Sequence, residues 1–220
     1  MRSNHWNMTR HRMESGDDQP NVQLQPLIIQ TSNDDSPQQQ MSGLTVVGNR
    51  IHFYADIYDE TILMLNKTLL ELDLSLQNTK NVLGDETVTP IIHLHLNTGG
   101  GSVYAAFAAV DTIRNLKSKV YTYVDGYCAS AGTLISSVGN KRFVGMYSQM
   151  LIHQLSGEMY GKFSEMEDQM FNSTALMKVL KEFYKKYTKM PMKKLDELLK
   201  KDISLTADEC VLYGLVDEIR

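Results

Sequence analysis

The chain has 220 residues, 42% hydrophobic and 22% charged, with 22 basic against 26 acidic side chains for a formal net charge of −4. One domain of ordinary size accommodates this length and composition, and the missing basic excess argues against a nucleic-acid binder, which needs cations to neutralise phosphates. Cys128 and Cys210 are too few for a disulfide framework and have no metal or redox spacing; with no run near the ~18 apolar residues of a membrane span, the expectation is a cytoplasmic or otherwise reducing setting without membrane partners.

Residues 1–40 are rich in Gln, Asn, Ser and Asp and show no sustained hydrophobic period, so they read as a flexible arm preceding a body over 41–220. One apolar island, Leu27-Ile28-Ile29, interrupts the arm. Leu44–Val47 and Ile51–Tyr54 are short β-prone runs around the turn dipeptide Gly48-Asn49, predicting two strands. Ile62, Leu65, Leu69 and Leu72 recur at helical spacing, with Asp56 and Asp59 as caps. Residues 73–90 read as a long connection before a strand at Ile91–Leu96. A helix with Ala106, Phe107, Val110, Ile113 and Leu116 follows the run Gly99-Gly100-Gly101. Val120–Val124 is a further strand, closed by Asp125-Gly126, and a small-residue helix begins near Ser130. Phe163 to Tyr187 carries the period of one long helix that Pro191 ends. A short helix with Leu195, Leu198 and Leu199 precedes one opened by Thr206-x-x-Glu209, a capping-box spacing, and Leu215–Ile219 reads as a closing strand. Alternation of strand and helix predicts an α/β fold with a parallel sheet and crossover helices.

Peptide hydrolysis needs a nucleophile, a base, a group orienting the base, and donors for the oxyanion. Ser130 lies among the small residues Gly126-Tyr127-Cys128-Ala129-Ser130-Ala131-Gly132, after a strand and at a helix start, where the positive end of the helix dipole favours a developing anion. An isolated serine there more often only caps the helix. His153 ends the apolar run Met150-Leu151-Ile152, in competition with His5, His11, His52, His93 and His95. Gly99-Gly100-Gly101 can expose backbone N–H groups to an anion, although a bare glycine run is commonly just a turn, and this one is neither a dinucleotide fingerprint nor a Walker loop. His93 and His95 share a strand face; with no third ligand at useful spacing, a polar interface face is the simpler reading than a metal site, and no cofactor is expected on this chain.

Taken in order, Asn97–Val103, Gly126–Gly132, Met150–Gln154 and Tyr213–Asp217 resemble the proteolytic subunits of Clp proteases, with the similarity running from about Leu44 to Arg220. The resemblance implies a Clp/crotonase-like α/β fold with a protruding handle helix over Phe163–Tyr187, and a serine endopeptidase with Ser130 as nucleophile, His153 as base and Asp202 as orienting acid, ahead of Asp196 and Asp208. It implies oxyanion donors at Gly100 and Ala131, with Gly101 adjacent. It further implies rings, two stacked heptamers in the family, that take protein and peptide substrates from a AAA+ unfoldase carrying the ATP. The segment 26–32 is similar to the family's axial-pore segment. Departures from the family pattern are Gly99 and Leu155 where prolines are usual, Lys201 where an arginine is usual, and His93 and His95 where aromatic residues line the pocket that receives the ATPase. Three other readings stay open at this level: a catalytically weak structural ring subunit beside an active paralogue, a crotonase-type acyl-CoA enzyme, and a Clp-like maturation protease acting on a viral or assembly substrate.

Overall fold

The structure, a computed structural model, describes residues 43–84 and 87–220; the arm expected over 1–40, with its segment 26–32, lies outside the described residues. Strands β1 (Leu44–Val47) and β2 (Arg50–Phe53) form an antiparallel pair. Helix α1 (Asp59–Leu83) buries Ile62, Leu65, Leu69 and Leu72, the stripe the spacing predicts. Tyr58 takes the N-cap position and donates its N–H to Thr61 Oγ1 at 3.0 Å, while Asp59 sits in the first turn, where a negative charge suits the dipole.

The expected connection over 73–90 is corrected: α1 continues to Leu83 and stops at Gly84, whose φ of 63° is the left-handed C-terminal conformation glycine permits. The added turns leave Leu74, Val82 and Leu83 exposed, so they carry no apolar period to read. Asp73 anchors this stretch by accepting the N–H groups of Lys117 and Ser118.

Next come β3 (Ile91–Thr98), α2 (Val103–Asn115), β4 (Lys119–Ala129), α3 (Ala131–Ser137), β5 (Lys141–Val144) and β6 (Gln149–Leu151). The long helix α4 (Phe163–Tyr187) has the expected bounds; α5 (Met192–Leu198), β7 (Ser204–Leu205), α6 (Ala207–Leu212) and β8 (Glu218–Ile219) complete the chain. The sheet runs β1-β2-β3-β4-β5-β8, parallel apart from the β1–β2 pair, with β6 on β4 and β7 antiparallel to β6. This is the α/β architecture expected from the alternation of elements. Thr206 accepts the Glu209 N–H and donates its own N–H to the Glu209 carboxylate, the reciprocal cap its spacing predicts. The closing strand is shorter than expected, since Leu215 and Val216 are buried but unpaired with the sheet.

Asp125-Gly126 does not close β4. The strand bends there, Gly126 at φ 80°, and continues to Ala129. Its first half pairs with β5 and its second half, Tyr127–Ala129, with β6. The bend opens a fork at the strand's end, and Ser130 stands immediately after it.

Arg142 on β5 joins three late elements. Its guanidinium donates to Tyr187 O (2.7 Å) at the end of α4, to Gly214 O (2.9 Å) after α6, and to Asp217 (2.6 Å) before β8. Burial by itself would push the Asp217 carboxyl up, but hydrogen bonds and charge from Arg142 outweigh it and hold the group below the usual carboxylate range. Arg142→Met removes donors that two backbone carbonyls rely on and should cost about 2–4 kcal/mol, read as a lower urea midpoint at unchanged slope. Because the Asp217 pKa is depressed, its share of stability is present above about pH 4 and is lost as pH falls further, so the gap between wild type and variant should narrow there.

Candidate active site

The turn between β4 and α3 is built on an unusual backbone conformation. Ser130 has φ 53° and ψ −125°, the only positive φ at a non-glycine residue among those described. Its N–H donates to Leu151 O at 2.8 Å, and its carbonyl accepts from Thr133 N–H at 3.0 Å and from Thr133 Oγ1 at 2.7 Å. The side chain makes no capping hydrogen bond to α3, so the plain capping role weighed for it is not the one it plays here.

The glycine run packs directly against this turn. A Cβ on Gly100 would lie 2.6 Å from the Ser130 Cβ and 2.8 Å from Ala129 O, at a φ of 98°. A Cβ on Gly101 would lie 2.2 Å from Ile57 O, because Gly100 O accepts from Ile57 N–H and Ser102 N–H donates to Ile57 O. Glycine is therefore required at both positions by close approach as well as by conformation. The Gly100 N–H donates to Thr98 Oγ1 at 3.1 Å. Ala131 opens α3, where the first N–H groups of a helix lack intrahelical acceptors.

Ser130, Ala131, Gly101 and His153 line one cleft, walled by Val103, Leu134, Leu155, Leu180 and Tyr184. His153 is two residues past β6, and Asp202 two residues before β7. The antiparallel register Met150↔Leu205 and Leu151↔Ser204, extended by two residues, sets His153 opposite Asp202. His153 Nδ1 and the Asp202 carboxylate are 3.7 Å apart, wider than a hydrogen bond, and the Asp202 side chain is 83% exposed among the described residues. The rivals are placed elsewhere: Asp196 pairs with Lys181 at 2.7 Å, and Asp208 lies in the first turn of α6. Lys201, beside Asp202, is exposed. Leu155 is held in place, its N–H directed at Met177 Sδ on α4 and its side chain packed on the core. Sequence reasoning missed Thr133 and Tyr184, which share a hydrogen bond under the cleft.

The thiols of Cys128 and Cys210 are both pushed up to about 12, chiefly by burial, which leaves them protonated and poor nucleophiles beside a serine. Among the described residues no helix is long and apolar enough to cross a membrane.

A second polar group occupies the sheet face opposite the helices. The register partners His52, His95, Tyr123 and Phe143 stack across four strands, with centroids 4.5, 4.5 and 4.8 Å apart, and Arg220 covers the last two rings. His93 instead meets the Tyr123 hydroxyl, Nδ1 to oxygen 2.8 Å. The set whose ligand atoms converge within 4.8 Å is His52, His95 and Asp125, rather than a His93–His95 pair. A guanidinium only donates, so His95 Nε2 accepts from Arg50 at 3.1 Å and Nδ1 carries the proton directed at Asp125, 2.8 Å away. Both nitrogens of His95 are thus engaged, and a metal there would have to displace a proton or the Arg50 cation.

A family model described as Clp protease matches residues 48–220. The chain is 31% identical over 196 residues to an ATP-dependent Clp protease proteolytic subunit of Cyanophora paradoxa, covering 88% of this chain and 96% of the relative. It is 33% identical over 172 residues to an ATP-dependent Clp protease proteolytic subunit 2 of Chlamydia muridarum, covering 76% and 83%.

Burial lowers the pKa of both His52 and His93, helped for His52 by His95 and for His93 by Arg50, His95 and Arg220. Such groups stay neutral in the fold while the unfolded chain takes up protons near pH 6.5, so stability declines as pH falls through about 6.5 and levels off below the lowered folded values. The urea midpoint should therefore drop between pH 7.5 and pH 5.5, and His93→Phe, which keeps a ring on the face, should drop less; an equal drop would count against this account.

Proposed function

Because the chain belongs to the Clp protease family and is accordingly a serine-type proteolytic subunit, we propose that Ser130 is its nucleophile, His153 its general base and Asp202 the acid that orients His153. The observation that carries this reading is the convergence of Ser130 and His153 on one cleft, with Asp202 set opposite His153 by the β6–β7 register. In this mechanism His153 takes the proton of Ser130 Oγ as the oxygen attacks a peptide carbonyl, and the tetrahedral oxyanion is held by backbone N–H groups of Ala131 and of the turn at Gly100 and Gly101. His153 then returns the proton to the leaving amine, and water releases the acyl group by the reverse path. The Gly100 N–H now directed at Thr98 Oγ1 would share itself with the oxyanion or yield to the neighbouring Gly101 N–H. Movement of Asp202 through the gap to His153 completes the set.

The same reading gives the chain a place in a ring, with α4 as the interlocking handle and unfolded protein as substrate. The relatives are named ATP-dependent, whereas this sequence has no Walker pattern, so nucleotide would be handled by a AAA+ partner. His93 and His95 stand where the family often has aromatic residues in the pocket that receives the ATPase, so the partner's docking segment would be a point of divergence from the family.

A fluorophosphonate should label the wild-type protein at Ser130 and leave Ser130→Ala unlabelled. Cleavage of a short fluorogenic peptide should fall by about 10⁴-fold or more in Ser130→Ala and His153→Ala, and by a smaller factor in Asp202→Asn. Persistent labelling of Ser130→Ala, or turnover of an enoyl-CoA in place of the peptide, would refute the assignment.

A further inference from the structure

Beneath the candidate nucleophile runs a hydrogen-bond relay that the triad does not use. Tyr184 on α4 is 3% exposed and Thr133 on α3 is fully buried, and their hydroxyl oxygens are 2.6 Å apart. Thr133 Oγ1 donates its proton to Ser130 O at 2.7 Å. A hydroxyl has a single proton to give, so the Tyr184 hydroxyl must be the donor to Thr133. The direction is fixed: Tyr184 to Thr133 to the Ser130 carbonyl. Burial also pushes the Tyr184 phenol well above its ordinary pKa, which keeps it a donor. A Phe–Val pair of nearly the same shape would fill the space with no polar group to satisfy, so the two hydroxyls invite a role beyond packing.

That role follows from the geometry of one peptide unit. The Ser130 carbonyl and the Ala131 N–H belong to the same planar trans amide, in which C=O and N–H point in opposite directions; among the described residues there is no cis bond. Two donors from Thr133, its N–H at 3.0 Å and its hydroxyl at 2.7 Å, grip the carbonyl from one side. What grips the carbonyl also fixes the direction of the N–H on the other side, and Ala131 lines the same cleft as Ser130 and His153. We infer that Tyr184 and Thr133 are positioning residues for the oxyanion hole, fixing the direction of the Ala131 N–H so that helix α4 helps set the electrostatics of the site. The inference rests on the assignment of Ser130 as nucleophile.

The test uses the full-length assembled protein, with kcat and KM for a short fluorogenic peptide and the inhibition constant of a peptide boronate that forms a tetrahedral adduct on Ser130. Losing an oxyanion donor outright costs 10²- to 10³-fold in kcat, so a misaimed one should cost less. Tyr184→Phe should lower kcat and weaken the boronate together by about 5- to 30-fold, with KM within about twofold. Thr133→Val should do so more severely, while Thr133→Ser, which keeps the hydroxyl, should recover most of the loss. Tyr184→Phe removes one oxygen and leaves the ring in place, so it decides the matter by itself if Thr133→Val assembles poorly. Unchanged kcat and boronate affinity in Tyr184→Phe, or a rise in KM with kcat unchanged, would overturn the inference, as would a Thr133→Ser protein as impaired as Thr133→Val. A wild type that a fluorophosphonate fails to label at Ser130 would instead overturn the nucleophile assignment on which it stands.

Discussion

Ser130 can hold φ 53° and ψ −125° only because its neighbours over-determine it. A non-glycine residue in such a sparsely populated region costs of order 1–3 kcal/mol. The Leu151 carbonyl takes its N–H, Thr133 takes its carbonyl twice, and Gly100 leaves the space that any side chain would fill. Remove the bend in β4 and Ser130 no longer reaches β6; remove the glycine and the turn that approaches it cannot close. The strained residue stands at the junction of strand and helix, and a sharp strand-to-helix turn of this kind is a place where hydrolases can present a nucleophile.

The forked end of β4 explains why the remaining parts fall where they do. Its first half belongs to the main sheet and its second half to the small β6–β7 layer. Ser130 therefore follows one branch, His153 follows the strand paired with it, and Asp202 precedes the strand after that. Three residues that are distant in sequence are brought together by two short ladders rather than by a long loop. Arg142 closes the arrangement from behind by fastening the ends of α4, α6 and β8 to β5.

Much of this was readable from residues alone, and the reasons differ from place to place. The stripe Ile62, Leu65, Leu69, Leu72 and the span Phe163–Tyr187 announced themselves by period, and Thr206 with Glu209 by a local hydrogen-bond motif. The pairing of Ser130 with His153 and Asp202 came from the order of four motifs in a resemblance, since several histidines and aspartates compete on spacing alone. The last turns of α1 were hidden because their side chains face water, and the continuation of β4 was hidden because Asp125-Gly126 looks like a stop but acts as a bend. His52 and Asp125 joined His95 only through strand register. Thr133 and Tyr184 are 51 residues apart, and Tyr184 sits on the same apolar stripe as Leu180 and Phe183, where nothing marks its hydroxyl as engaged.

Helix α4 is attached to the body unevenly. Its first buried residue is Leu180, with Phe183 and Tyr184 following, and Phe163, Met166, Met170 and Phe171 near its other end are exposed. At about 1.5 Å of rise per residue the helix extends roughly 30 Å from Tyr184 back to Phe163. It is built as a lever whose pivot lies at the short arm, beside the hydroxyl of Thr133. A tilt of about 5° would carry the far tip by about 3 Å on that length, while a group close to the pivot shifts by only a few tenths of an ångström. The leverage runs in both directions: a grip on the exposed tip would steady the pivot far more firmly than the same grip applied near it.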